Sequence, residues 1–151
     1  AREAEEMHLQ QRVLLVEGPE DVIAVAAVLK AAGRIVSRTE ELEWSVISCG
    51  GKDSIPFFQR VLNAFTIPYS VLHDLDIRPG ITPDVEALER RRNTIITELS
   101  RGRPVFVYPI KLEASLGLDH HFRDQYSAHV FFADPEKITD EVKNLVLQIF
   151  A

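Results

Sequence analysis

The 151-residue sequence predicts an α/β fold with a mainly parallel central sheet flanked by helices. Short runs rich in β-branched residues alternate with helical patterns along the chain, and this alternation is typical of parallel strands joined by right-handed crossovers. Hydrophobic residues make up 46% of the chain and charged residues 26%. That composition is ordinary for a globular domain large enough to bury a core.

Four strands are predicted from their apolar patterns. They are RVLLVE (12–17), EWSVISC (43–49), YSVLHDLD (69–76) and PVFVYPI (104–110). The segments VIAVAAVLKAAG and IPFFQRVLNAF predict helices after the first and second strands, and a third helix runs to about Ser100. Pro19, Glu20 and Asp21 suit the first turn of the first helix.

The predicted domain organisation has three parts. Residues 1–11 predict a lead-in helix, 12–110 the α/β core, and 111–151 a C-terminal helical extension. The extension contains two helical patterns, KLEASLGLDHHFRDQY and DPEKITDEVKNLVLQIF. Since the chain opens without methionine and stops within a helical pattern, we expect it to be a portion of a longer protein.

Charge and composition exclude some functions. A net charge of −6 argues against a protein that binds nucleic acid by overall electrostatic attraction. It does not argue against a protein that binds phosphate through bound cations. The single cysteine, Cys49, excludes an internal disulfide. Together with the absence of a secretory signal, this predicts a cytoplasmic protein. No apolar run approaches the roughly 20 residues that a membrane span needs, so no membrane partner is expected.

Acidic residues follow two of the predicted strands. Glu17 ends the first strand, Asp21 lies four residues later, and Asp74 and Asp76 end the third. Ligand sites in parallel sheets form at the carboxyl ends of strands, and strand alternation would point Asp74 and Asp76 the same way. If the first and third strands are neighbours, these carboxylates share one small volume. Such a volume suits Mg²⁺, and with a fifth acid it could hold two ions.

Simpler readings exist for each acidic motif by itself. Acids such as Glu20 and Asp21 are common at helix N-termini, and Asp-x-Asp is common in solvated turns. Their combination at successive strand ends favours a metal site. The turn GGKDS lacks the spacing of a nucleotide P-loop, so Gly51 is interpreted as turn geometry with close backbone approach and Lys52 as a phosphate contact.

These motifs resemble those of TOPRIM domains, the Rossmann-like metal-binding modules of topoisomerases, DnaG-type primases and several nucleases. The resemblance lies in LLVEGPED, with Glu17, and VLHDLD, with Asp74 and Asp76, and it covers roughly residues 12–110. Within that superfamily the chain looks most like the OLD (overcoming lysogenization defect) family. The motifs VLLVEGPEDV and VISCGGKDSI carry that likeness.

The resemblance implies an endonuclease that nicks and cleaves DNA with two divalent ions, Mg²⁺ or Mn²⁺. It implies that Glu17, Asp21, Asp74, Asp76 and Glu113 bind metal, and that Glu17, Asp74, Asp76 and Lys137 are catalytic. Asp21 departs from the family, since a longer glutamate is usual at that position in many relatives.

The resemblance also implies partners outside the chain. OLD proteins join an upstream ABC-type ATPase domain to the nuclease domain, and a homodimer would form through the full-length protein. No Walker motif occurs in this sequence, so ATP would act only through a domain that the chain does not contain.

Basic and histidine residues complete the candidate list. Arg91 and Arg92, in the basic run ERRRN, are predicted to contact a DNA backbone. Strand alternation points His73 away from Asp74, so we expect a packed histidine. His120 and His121 are expected at the surface.

Two alternatives to a nuclease remain open. One is a module that uses Mg²⁺ to bind nucleic acid without cleaving it. The other is a phosphatase of the haloacid dehalogenase type, in which Asp74 would be the nucleophile. That motif normally follows the first strand of its fold rather than the third, and the phosphatase would leave Glu17 without a role.

Overall fold

A single four-stranded sheet organises the computed structural model, which describes residues 12–151. The predicted lead-in helix at 1–11 lies outside the described residues. All three strand pairings are parallel, and the strand order is β2-β1-β3-β4. The strands are β1 (Arg12–Val16), β2 (Trp44–Ser48), β3 (Tyr69–Asp74) and β4 (Val105–Tyr108).

Helices cover both faces of this sheet. They are α1 (Pro19–Ala31), α2 (Ile55–Ala64), α3 (Pro83–Ser100), α4 (Leu112–Ser115), α5 (Gln125–Phe132) and α6 (Asp140–Ile149). Short 3₁₀ turns span Thr39–Leu42, Lys52–Ser54 and Pro135–Lys137. The predicted α/β fold with a mainly parallel sheet is confirmed.

Alternation along β1 divides the core between the two faces. Leu14 and Val16 pack in one cluster with side chains of α1, α5 and α6. Val13 and Leu15 pack on the other face with Ile55 of α2 and other buried residues. The C-terminal helices therefore share a hydrophobic core with the strands, and the molecule has helices on both sides of the sheet.

The C-terminal helical patterns differ most from the prediction. The segment 111–126 was predicted as one helix, but α4 stops at Ser115 and Gly117 has a φ of 78°. The chain turns there, and α5 begins only where the Asp124 carboxylate accepts a hydrogen bond from the Ser127 backbone N–H at 2.7 Å.

The last segment also divides into two pieces. A 3₁₀ turn starts after Asp134, and α6 begins after Thr139. The Thr139 hydroxyl donates a hydrogen bond to the Ser115 carbonyl at 2.7 Å. This contact joins the start of α6 to the end of α4, a tertiary interaction that the local pattern does not contain. Among residues 12–151, no helix combines the length and apolar character that crossing a membrane requires.

Candidate metal centre

Three carboxylates meet at the carboxyl edge of the sheet. Glu17, Asp74 and Asp76 each offer an oxygen, and these oxygens lie within 4.8 Å of one another. Glu17 directly follows β1 and Asp74 ends β3, and these strands are paired neighbours with Val16 opposite Leu72. The adjacency on which the predicted cluster depended is therefore present.

Backbone hydrogen bonds hold these acids in place. The Asp74 N–H donates to Glu17 Oε2 at 2.5 Å, and the Leu112 N–H donates to Asp74 Oδ1 at 3.2 Å. Asp76 has a left-handed φ of 60°, and its N–H donates to the Ile110 carbonyl at 2.9 Å. Because β3 ends at Asp74, this turn positions Asp76, rather than the strand alternation that was expected to do so.

Crowding makes these carboxylates hard to ionise. Burial, with the charges of Glu17, Asp21 and Asp76 adding to it, raises the pKa of Asp74 to about 9. Burial raises the pKa of Glu17 to about 7, although the hydrogen bond from Asp74 opposes the rise. Burial raises the pKa of Asp21 to about 8. A bound cation would favour the charged forms of these groups.

Asp21 and Glu113 flank the cluster without joining its tightest part. Asp21 accepts a hydrogen bond from the Gly18 N–H at 3.0 Å, while the charges of Glu17 and Glu113 contribute to its raised pKa. Glu113 lies on α4, where its Oε2 accepts from the Phe122 N–H at 3.3 Å. The two acids therefore extend the cluster toward the C-terminal helices.

A buried hydroxyl completes this side of the site. Tyr108 is 1% exposed, and its hydroxyl has no hydrogen-bond partner among residues 12–151. Burial raises its pKa well above the usual value, and the charges of Asp21, Asp74 and Glu113 add to the effect. An oxygen-rich site with several carboxylates and an unpartnered hydroxyl beside them fits a hard divalent cation, since Mg²⁺ takes oxygen ligands and retains water.

Lys52 lies inside the acidic region. Its side chain is only 8% exposed, and its ammonium group lies 3.1 Å from Asp76 Oδ2 and 3.0 Å from Glu89 Oε2. It also donates to the Leu75 carbonyl at 3.3 Å. The structure thus places this predicted phosphate contact in a buried ion pair with Asp76, one of the candidate metal ligands.

The glycine turn before Lys52 is fixed by backbone conformation. Gly51 has a φ of 126°, and its N–H donates to the Glu17 carbonyl at 2.8 Å. A Cβ at Gly51 would meet nothing within 4 Å, so the conformation, not lack of space, favours glycine. The hydrogen bond links the turn directly to the residue that supplies the first carboxylate.

The predicted DNA-contacting arginines have different environments. Arg91 is exposed on α3. Arg92 forms ion pairs with Glu89 at 2.7 Å and with Asp53 at 2.9 Å. Because Glu89 also holds Lys52, Arg92 belongs to the ion-pair network that reaches Asp76.

Lys137 lies on the C-terminal side of the molecule. It is exposed, and its ammonium group lies 5.7 Å from the centroid of the Phe131 ring. It lines a cavity of about 590 Å³ together with His121. The His121 Nδ1 lies 3.5 Å from Glu113 Oε2, so this cavity adjoins the acidic region.

The histidine predictions agree with the structure. His73 is 2% exposed, and its Nδ1 lies 2.8 Å from the Asp74 backbone oxygen. His120 and His121 are exposed at the surface.

Sequence reasoning missed Glu89, Tyr108 and the contact between His121 and Glu113. Glu89 begins the basic run ERRRN, where an acid next to arginines was the available signal. Tyr108 ends β4 at the same edge as Asp74, so strand-end position could have identified it. For the His121 contact the sequence offers no periodic signal, because the chain between the two residues is irregular.

Comparisons with known proteins find similarity to OLD proteins. The model of the OLD-like TOPRIM domain (overcoming lysogenization defect protein-like) matches residues 9–76. An OLD nuclease from Thermus scotoductus (strain ATCC 700910 / SA-01) is 30% identical over 130 residues, which are 80% of this chain and 24% of that protein. The chain therefore spans about a quarter of the length of this relative.

A solved structure supports the fold. The C-terminal region of the Burkholderia pseudomallei OLD protein has a TM-score of 0.52 and 21% sequence identity, covering 93% of this chain and 82% of that one. At this identity the likeness concerns the fold alone. It spans the sheet and the C-terminal helices together.

Proposed function

The chain carries a TOPRIM domain of the OLD-like family, a nuclease-type domain, and from that premise we propose that it is a divalent-metal-dependent DNA endonuclease. The observation that carries the proposal is the cluster of Glu17, Asp74 and Asp76, with oxygens within 4.8 Å of one another. The raised pKa values of Glu17 and Asp74 support the proposal, because a bound cation would stabilise the ionised forms of these carboxylates.

We propose Mg²⁺ or Mn²⁺ as the metal, with two ions bound. Glu17, Asp74 and Asp76 would hold one ion, and Asp21 and Glu113, with Asp74 between them, would hold the other. The donor oxygens support this assignment, and the buried Tyr108 hydroxyl adds a further polar group near Asp21, Asp74 and Glu113. Bound divalent ions supply positive charge that activates water and stabilises the oxygens of a phosphodiester during displacement.

The chain's own residues would then orient and neutralise the substrate. Lys137, exposed beside the cavity that adjoins Glu113, is proposed as the catalytic lysine that balances charge on the phosphate. Arg91 and the backbone of Gly51 are proposed to contact the DNA backbone, and the buried Lys52 would act on the phosphate through its ion pair with Asp76. Arg92 would act there while also holding Glu89.

Other parts of the proposal concern the longer protein. We propose an upstream ABC-type ATPase domain through which ATP would act, a homodimer formed by the full-length protein, and a cytoplasmic location. The relative of which this chain spans 24% is an OLD nuclease, and its greater length supports a further domain.

A plasmid assay tests the nuclease proposal. The 151-residue chain is incubated with supercoiled plasmid and Mg²⁺ or Mn²⁺, beside Glu17→Gln and Asp74→Asn. We expect nicking by the wild type, a loss of at least about 100-fold in both variants since each removes a charged metal ligand, and no nicking in EDTA. Glu98→Gln, an exposed acid on α3, is the matched control and should retain activity.

Other outcomes separate the alternatives. Mn²⁺ binding without nicking by either metal would mean a nucleic-acid-binding module or a nuclease domain that needs the rest of its protein for cleavage. Trapping of a phospho-aspartate at Asp74 would identify a haloacid-dehalogenase-like phosphatase and contradict the endonuclease proposal.

A further inference from the structure

A cavity lies at the amino edge of the sheet, opposite the carboxylates. It has a volume of about 750 Å³ and is lined by residues at or just before the first residues of several strands. Arg12 begins β1, Trp44 begins β2 and Tyr69 begins β3. Ligand sites for small molecules have volumes of roughly 300–1,000 Å³, so this cavity has a suitable size.

Three arginines from separate parts of the chain line this cavity, namely Arg12, Arg34 and Arg103. Within the described part of the chain, Glu43 is the one carboxylate residue in the lining. Among residues 12–151, none of the three arginines forms an ion pair with a carboxylate. The lining therefore carries an excess of positive charge in a chain whose net charge is −6.

Neutral contacts hold these guanidinium groups. Arg34 donates to the Phe150 carbonyl at 3.0 Å, and Arg103 donates to the Ser100 carbonyl at 3.3 Å. The guanidinium carbon of Arg103 lies 5.0 Å from the centroid of the Tyr69 ring, and that of Arg12 lies 5.6 Å from the centroid of the Trp44 ring. Restrained guanidinium groups lose less entropy on binding and match the geometry of phosphate oxygens.

The lining also offers apolar ring surface. Trp44, Tyr69, Phe106 and Phe150 all contribute to it. A ligand that places a phosphate on the arginines and a planar ring against this apolar surface would use both parts of the cavity. Inorganic phosphate would use only the first part.

We propose that this cavity binds a nucleotide, with its phosphate on the arginines and its nucleobase against the aromatic side chains. The nucleotide is either a free mononucleotide or part of a single DNA strand. It is separate from the acidic edge, since a five-residue strand extends over roughly 16 Å. The proposal does not depend on cleavage at the carboxylates.

Trp44 makes the proposal measurable because it is the single tryptophan of the chain. Its fluorescence is followed during titration of the 151-residue chain with AMP, pyrophosphate and a short single-stranded oligonucleotide. EDTA is present throughout, so no metal can recruit phosphate to the acidic cluster. Calorimetry of the same titrations gives an independent dissociation constant.

We expect AMP or the oligonucleotide to saturate the signal below about 1 mM, and the one that binds identifies the source of the nucleotide. Arg34→Gln and Arg103→Gln should each weaken that binding about tenfold or more, because each removes a charged donor to phosphate. Arg60→Gln, which removes the same charge from an exposed position on α2, should leave it unchanged. Arg34→Lys, which keeps the charge, should weaken binding less than Arg34→Gln.

Several results would overturn the proposal. One is that neither AMP nor the oligonucleotide saturates the signal. Another is that pyrophosphate binds at least as tightly as both of them. A third is that Arg60→Gln weakens binding as much as Arg34→Gln and Arg103→Gln do. Thermal unfolding of each variant identifies a misfolded protein. If Arg34→Gln unfolds, Arg34→Lys is compared with the wild type in its place. The arginine site is refuted if Arg34→Lys and Arg103→Gln both bind the nucleotide as tightly as the wild type does.

Discussion

The two edges of the sheet carry opposite charge. At the carboxyl edge, Glu17, Asp74 and Asp76 converge, whereas Arg12, Arg34 and Arg103 line the cavity at the amino edge. All strands are parallel, so residues that follow strands collect at one edge and residues that precede them collect at the other. A net charge of −6 thus averages over two regions with different ligand chemistry.

The edges also differ in how their charges are balanced. Lys52 is buried between Asp76 and Glu89 in the acidic region, and among residues 12–151 neither Glu17 nor Asp74 forms an ion pair. The arginines of the amino edge instead contact carbonyl groups and aromatic rings. The acidic edge therefore depends on a buried ion pair for stability, and the arginine edge does not.

The largest change in stability is expected from Lys52→Met. Removing the ammonium group leaves Asp76 without its cation and Glu89 with Arg92 alone. Because the lost ion pair is largely buried, the change costs about 3 kcal/mol in the free energy of unfolding. Urea unfolding in EDTA measures it. Arg90→Gln, which breaks an exposed pair with Glu86, should cost about 0–1 kcal/mol. Equal costs for the two variants would contradict the contrast between buried and exposed pairs.

The second prediction concerns pH in the absence of metal. The folded pKa values of Glu17 and Asp74, about 7 and about 9, lie above their ordinary values of 4.5 and 3.8. The folded protein therefore keeps protons that the unfolded chain releases. The resulting stability is fully present below about pH 4 and is lost as pH rises toward 9, by about 2 kcal/mol or more.

Thermal unfolding in EDTA between pH 5 and 9 checks this slope. Mn²⁺ should flatten it, because the ion favours ionised carboxylates, and Asp74→Asn should reduce it. Arg34→Gln should leave the slope as in the wild type. A changed slope in that arginine variant would show that the two edges are not independent.

A smaller loss is expected from Gly51→Ala. Its φ of 126° is a conformation that side-chain-bearing residues rarely adopt, so the variant should lose about 1–3 kcal/mol. Gly18→Ala is the matched control at the same edge. There the added Cβ would meet only the flexible end of Glu20 at 3.3 Å, and the loss should be below about 1 kcal/mol. Chemical denaturation of both variants compares them directly.

The smallest effect on stability is expected from Lys137→Met. The side chain is exposed, so the free energy of unfolding should change by less than about 0.5 kcal/mol. If Lys137 is the catalytic lysine, plasmid nicking should still fall about 100-fold, with Mn²⁺ affinity unchanged. Unaltered nicking would remove Lys137 from the catalytic residues.

Much of the acidic edge could be predicted from the sequence because its signals are local. Glu17 and Asp74 lie directly at the ends of apolar runs, and strand ends meet in any parallel sheet. The C-terminal helices were predicted poorly, since apolar spacing did not reveal the turn at Gly117. The continuation of the third strand to Asp76 was also wrong, and Asp76 reaches the cluster through a left-handed turn.

The sequence by itself determined the parallel α/β fold, the motifs of the family and the edge at which the acids lie, because periodicity and strand-end position are short-range properties. Only the tertiary structure decided that Lys52 pairs with Asp76, 24 residues away. It also decided that three distant arginines share one cavity. Such contacts depend on how packed elements meet, and long-range packing of this kind leaves no periodic pattern in the chain.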